Sequence, residues 1–124
     1  MPEKILIVDD EPNIVIPIQF LMEQNGYTVI VAFNGNDAIK AVSTFQPNLI
    51  ILDLMLPGID GFEICQRIRE NADWSHIKIV IVTAMGQEAN IAKGMALGAD
   101  AYIVKPFSNA YMVQQIKSLL TDCR

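Results

Sequence analysis

Five short apolar runs recur along the chain: Ile5–Val8, Thr28–Ala32, Leu49–Leu52, Ile79–Val82 and Ala101–Val104. They are rich in Ile and Val and show little alternation of apolar and polar positions. Such runs predict strands buried on both faces, as in a parallel sheet covered by helices on each side. Segments of helical period lie between them. Pro12–Asn25 carries Pro at its first turn and Gly26 just past its end. Asn36–Phe45 opens on a capping Asn and stops before Pro47, and Asp60 can cap a helix running to about Asn71. Gln87–Leu97 ends at Gly98, and Ser108 caps a final helix to about Leu120. Strand and helix thus alternate five times. Right-handed crossovers then predict an α/β fold with a doubly wound, five-stranded parallel sheet and five helices. Pro17 fits poorly, because it lies inside the first helix and cannot donate to the Asn13 carbonyl. A local kink or a widened first turn is expected there. Asn71–His76 reads as a polar loop.

Composition adds bounds to this picture. A chain of 124 residues, 52% of them hydrophobic, is the size of one domain with one core, here residues 1–124. No repeat, low-complexity tract or internal linker interrupts it. No apolar run approaches the roughly 20 residues needed to span a bilayer, and the acidic start at Asp9 and Asp10 is unlike a signal peptide. A cytoplasmic location is the expectation. Cys65 and Cys123 read as reduced thiols, since a redox pair would need their sulfurs to meet in space. The net charge of −5, without a Lys/Arg cluster, argues against nucleic-acid binding.

In open α/β sheets, ligands bind beyond the carboxyl ends of the strands. Asp9, Asp10 and Glu11 follow the first run, Asn34 and Gly35 the second, Asp53 the third, Thr83 the fourth and Lys105 the fifth. A strand order of 2-1-3-4-5 would gather Asp9, Asp10, Asp53, Thr83 and Lys105 in one small area. Taken singly, Asp9 or Asp10 is more often a helix cap, Thr83 a backbone-bonded hydroxyl and Lys105 a solvated charge. Asp53 is harder to dismiss, because a charge closing a buried strand needs partners. Carboxylates gathered at one point repel each other, and Mg²⁺, which prefers oxygen ligands, relieves that repulsion. There is no His or Cys set for zinc, and His76 lies in a polar loop. Mg²⁺ beside a lysine makes a place for a phosphoryl group, and a carboxylate can be its nucleophile.

The segments Ile5–Pro12 (ILIVDDEP), Leu49–Gly61 (LIILDLMLPGIDG), Ile79–Ala84 (IVIVTA) and Gly98–Phe107 (GADAYIVKPF) resemble those of response regulator receiver domains, the fold of the chemotaxis response regulator. The resemblance covers essentially the whole chain and implies a flavodoxin-like (βα)5 fold. It implies that Asp53 is the phosphoacceptor and that Asp9 and Asp10 organise Mg²⁺, with Asp10 a direct ligand. The Met55 backbone carbonyl matches the third protein ligand. Thr83 matches the switch hydroxyl, Tyr102 the aromatic that turns inward with it, and Lys105 the cation that pairs with the phosphoryl group. The Lys105–Pro106 bond is expected to be cis. The resemblance also implies partners: a sensor histidine kinase or histidine phosphotransfer protein as donor, and an output protein or fused output domain as receiver of the signal. Phosphorylation would shift the face made by the fourth helix, fifth strand and fifth helix. The implied role is a signalling switch that slowly dephosphorylates itself, not a turnover enzyme.

Rival classes fare less well. A haloacid-dehalogenase-type phosphatase wants a second Asp two residues after the first, where this chain has Met55. A flavodoxin-like flavin carrier would cradle phosphate with Ser, Thr and Gly where this chain has Asp9, Asp10 and Glu11. No phosphate-binding glycine motif is present. A receiver that acts only as an interaction module would not need the full residue set. Met55 and Met85, two residues beyond Asp53 and Thr83, cannot orient a water, which predicts a long-lived phosphoryl group or else plain packing. Ala101 and Gln115 stand where a charge-locked receiver dimer would want an acid and an Arg. A monomer or a weak phosphorylation-dependent dimer is therefore expected, unless Lys93 or Lys117 compensates.

Overall fold

The computed structural model describes residues 2–121 of the chain. Strands β1 (Lys4–Val8), β2 (Thr28–Ala32), β3 (Leu49–Leu52), β4 (Lys78–Thr83) and β5 (Ala101–Val104) alternate with helices α1 (Pro12–Gln24), α2 (Gly35–Phe45), α3 (Gly61–Glu70), α4 (Glu88–Ala96) and α5 (Asn109–Thr121). The strands form one parallel sheet in the order β2-β1-β3-β4-β5, as expected.

The lack of alternation in the strands has a direct cause. Successive side chains point to opposite faces, and both faces are covered. Leu6, Val8, Ile50, Leu52, Ile79 and Ile81 pack with Ala38 and Val42 of α2 and Ile64, Cys65 and Ile68 of α3. Ile5, Ile7, Leu49, Ile51, Val80 and Val82 pack with Val15, Ile18 and Met22 of α1 and Met112, Ile116 and Leu120 of α5. Each such aliphatic side chain contributes about 1.5–3 kcal/mol when taken fully from water. No helix among the described residues is long and apolar enough to cross a membrane.

Local chemistry sets the helix ends. Asp60 caps α3 by accepting from the Glu63 N–H at 3.0 Å, and Ser108 Oγ accepts from the Tyr111 N–H at 3.0 Å. The α2 cap differs from expectation. Asn34, not Asn36, accepts from the Asp37 N–H at 2.8 Å, so the helix starts one residue earlier, at Gly35. The reason is tertiary: a Cβ on Gly35 would lie 2.6 Å from Ile59 Cβ, so only glycine lets the helix start pass this close. α1 runs on through Pro17 without a widened first turn: the Glu11 carbonyl accepts from both Ile14 and Val15 N–H groups at 2.9 and 3.0 Å, just as the Gln87 carbonyl accepts two N–H groups at the start of α4. The loop after α3 holds a short 3₁₀ turn, Ala72–Trp74, whose half-buried Trp74 packs against the core. Cys65 is buried and free, and burial pushes its thiol pKa up. Cys123 lies outside the described residues.

At the amino edge of the sheet, Arg69 of α3 ties the ends of β4 and β5 together. It donates to the Gly98 carbonyl at 2.8 Å, the Ile77 carbonyl at 2.7 Å and the Asp100 carboxylate at 2.8 Å. Asp100 also accepts from the Ile79 N–H at 2.8 Å. Gly98, with φ +108°, makes the left-handed turn after α4 and leaves room for the Arg69 stem.

Candidate functional site

Register brings the carboxyl edge together. Val8 lies level with Ala32 on one side and Leu52 on the other, and Leu52 lies level with Ile81. The ladder continues past the strand ends: Asp53 N–H donates to the Val8 carbonyl at 2.9 Å, and Lys105 N–H to the Thr83 carbonyl at 2.8 Å. Asp9, Asp53, Thr83 and Lys105 are thus fixed by backbone before their side chains interact. Gly61 closes the loop after β3 so tightly that a Cβ there would lie 2.4 Å from the Asp53 carbonyl oxygen.

Asp9 and Asp53 are each 4% exposed, and Thr83 is fully buried. Lys105 Nζ bridges the two acids, donating to Asp9 Oδ2 at 3.1 Å and Asp53 Oδ2 at 3.2 Å. The other oxygens accept from backbone: Asp9 Oδ1 from Glu11 N–H at 3.0 Å, and Asp53 Oδ1 from Met55 N–H at 3.2 Å. The Lys105–Pro106 bond is cis.

The electrostatics follow from burial and neighbours. Burial pushes the Asp9 carboxyl above the usual 3.8, against the pull of the Glu11 N–H and the Lys105 ammonium; the charge of Asp53 adds to the rise. Burial alone would lower Lys105, but the charges of Asp53 and Asp9 outweigh it and hold its pKa above 10.5. Carboxylate oxygens of Asp9, Glu11 and Asp53 lie within 4.8 Å of one another. Three acids thus face one ammonium. This oxygen-only, charge-excess set suits a hard divalent cation such as Mg²⁺.

The expected residues fall into two groups. Asp9, Asp53 and Lys105 touch, and Asp10 and Met55 line, with Asp53 and Lys105, an open pocket of about 430 Å³. Asp10 is exposed and lines the pocket without belonging to the three-acid group, which Glu11 completes. The residue pattern did not single out Glu11 as a ligand, although it was visible as a third acid in a row. It occupies the residue before α1 with an extended backbone and makes no side-chain cap, which leaves its carboxylate free to join the group. Met55 meets Asp53 through its N–H, and its side chain is exposed.

Thr83 and Tyr102 meet through one residue. Thr83 Oγ1 accepts from the Met85 N–H at 3.4 Å, and the Tyr102 hydroxyl donates to the Met85 carbonyl. Lys93 stands 4.4 Å over the Phe62 ring of α3, so its charge is engaged within the chain.

The profile of the family described as the response regulator receiver domain matches residues 5–117. The chain belongs to that family. Among curated relatives, the alkaline phosphatase synthesis transcriptional regulatory protein PhoP of Bacillus subtilis (strain 168) is 42% identical over 120 residues, covering 97% of this chain and 49% of PhoP. The chain therefore spans about half the length of that relative. Solved receivers have the same fold. A CheY-like response regulator receiver domain protein from Methanospirillum hungatei JF-1 is 28% identical with a TM-score of 0.93, covering 99% of this chain and 97% of that one. The BeF3-activated N-terminal receiver domain of Klebsiella pneumoniae RstA is 28% identical with a TM-score of 0.89, covering 94% and 97% respectively. This receiver is thus a member of the response regulators of two-component signalling.

Proposed function

We propose that residues 1–124 act as one receiver domain that takes a phosphoryl group on Asp53 and relays it as a change of conformation. The observation that carries this is the buried Asp53 carboxylate, held at 3.2 Å by Lys105 inside a three-acid group. An Asp53 oxygen attacks phosphorus, and the P–N bond of a donor phosphohistidine breaks as the new P–O bond forms. The donor is a sensor histidine kinase or a histidine phosphotransfer protein. Lys105, already directed at the Asp53 carboxylate, pairs with the charge of the arriving phosphoryl oxygens. Thr83, at the end of β4, reaches toward the same oxygens and in doing so gives up the Met85 N–H.

Asp9, Asp53, and Asp10 or Glu11, with the Met55 carbonyl, would hold Mg²⁺. When bound, that ion neutralises the carboxylates and the phosphoryl oxygens. The signal leaves through the face of α4, β5 and α5, toward an output protein or a fused output domain. The role of PhoP as a transcriptional regulatory protein supports the second arrangement. The domain is a switch with slow self-dephosphorylation, working as a monomer or a weak phosphorylation-dependent dimer. Met55 and Met85 offer no hydrogen bond to an attacking water, so placing Asn at Met55 should shorten the phosphoryl lifetime.

The test uses acetyl phosphate and Mg²⁺, followed by intact mass. The wild type should gain one phosphoryl group, and Asp53→Ala none. A wild type that gains nothing with Mg²⁺ present ends this reading.

A further inference from the structure

Helix α4 is the most lightly seated of the helices. It buries one residue, Gly94, where each of the others buries at least three. Gly94 lies inside the helix without a left-handed φ, so its backbone does not call for glycine. Glycine weakens a helix interior relative to alanine. Space explains it instead. A Cβ at Gly94 would lie 2.9 Å from Ile81 Cδ1 and 3.1 and 3.2 Å from Cδ2 and Cε2 of the Tyr102 ring.

These neighbours differ in their freedom to yield. Ile81 is fully buried in close-packed core, whereas Tyr102 is only half-buried. An added methyl would therefore displace the Tyr102 ring toward solvent. That ring is tethered at its far end, where its hydroxyl donates to the Met85 carbonyl. Met85 in turn bonds the Thr83 hydroxyl. A line of direct contacts thus runs from Thr83 through Met85 and Tyr102 to the backbone of α4.

We infer that Gly94 is the seat by which helix α4 follows the Tyr102 ring, which makes it a positioning residue of the switch. The inference rests on the proposed function only for the input at Asp53. The contact itself is read from the packing of α4 on β4 and β5.

Amide hydrogen exchange of Met85–Gln87 and of α4 in the unphosphorylated full chain tests it. Gly94→Ala should speed exchange of the Met85 amide, held by Thr83 Oγ1, roughly fivefold, the effect of weakening one hydrogen bond. Tyr102→Phe, which lacks the hydroxyl, should do the same. The double variant should be no faster than either single one, because both remove the same bond. Unchanged exchange in Gly94→Ala, or effects that multiply in the double variant, would overturn the inference. Should Gly94→Ala not fold, Gly94→Ala/Tyr102→Leu takes its place. The shorter side chain must restore folding, and failure to do so puts the conflict elsewhere and also overturns the inference. Acetyl phosphate uptake is measured on the same wild-type sample, so a loss of the proposed function is seen separately.

Discussion

The two edges of the sheet each gather charge, with opposite results. At the amino edge, Arg69 meets Asp100 and two carbonyls, and the Ile79 N–H completes the set. One cation faces one anion, every nitrogen of the guanidinium donates, and Asp100 Oδ2 accepts twice. At the carboxyl edge, among the described residues, Lys105 alone pairs with Asp9 and Asp53, and Glu11 adds a third carboxylate beside them. The first cluster ties the starts of β4 and β5 to α3, and the second ties the end of β5 to the ends of β1 and β3. One is a closed lock. The other holds an excess of negative charge, kept in place by burial and backbone register. The difference shows why a charged cluster at a sheet edge is not by itself a site. What marks the site is charge left uncompensated in a place where water cannot disperse it.

The strongest way to test this contrast is to open the lock. Arg69→Met should destabilise the fold by about 3 kcal/mol in urea unfolding, because it leaves the Asp100 carboxylate and two carbonyls without their donor. Its effect should be the same with and without Mg²⁺.

The carboxyl edge should respond to the ion instead. At a free Mg²⁺ concentration a hundredfold above its Kd, the wild type should gain about 2.7 kcal/mol. Asp100→Asn should keep that gain, and Asp9→Asn should lose most of it. An equal gain in all three, measured by thermal or urea unfolding against EDTA, would break the contrast.

The smallest effect concerns sign. The Asp9 carboxyl titrates above 3.8 in the folded chain, so protonation favours folding. Its stabilising contribution is whole below pH 3.8 and is lost as pH rises through the folded value. At pH 7 in EDTA, Asp9→Asn escapes that loss and should be more stable than the wild type. The advantage should shrink toward pH 4. Asp100→Asn should instead be destabilising at pH 7. Stabilisation by both, or by neither, would show that the two edges do not differ as argued.

Much of this molecule is legible in its residue order. Five Ile- and Val-rich runs without alternation predict strands covered on both faces, which holds fully for the inner strands, and helices of matching period supply the cover. With strand order known, the residues that end the strands must meet at one edge, so Asp53, Asp9, Thr83 and Lys105 could be named before any coordinate. Choices that depend on distance could not. The α2 start moves to Asn34 because Ile59, from another loop, presses on Gly35. The carboxylate of Glu11 lies with those of Asp9 and Asp53, a grouping that adjacency in sequence did not reveal. The Arg69–Asp100 lock spans 31 residues and leaves no local signal. Gly94 reads as a plain defect in a helix until the Tyr102 ring is seen beneath it. Local order determined which elements form and which ends they share. Only packing decided which side chains the close approach of those elements would pair, exclude or leave uncompensated.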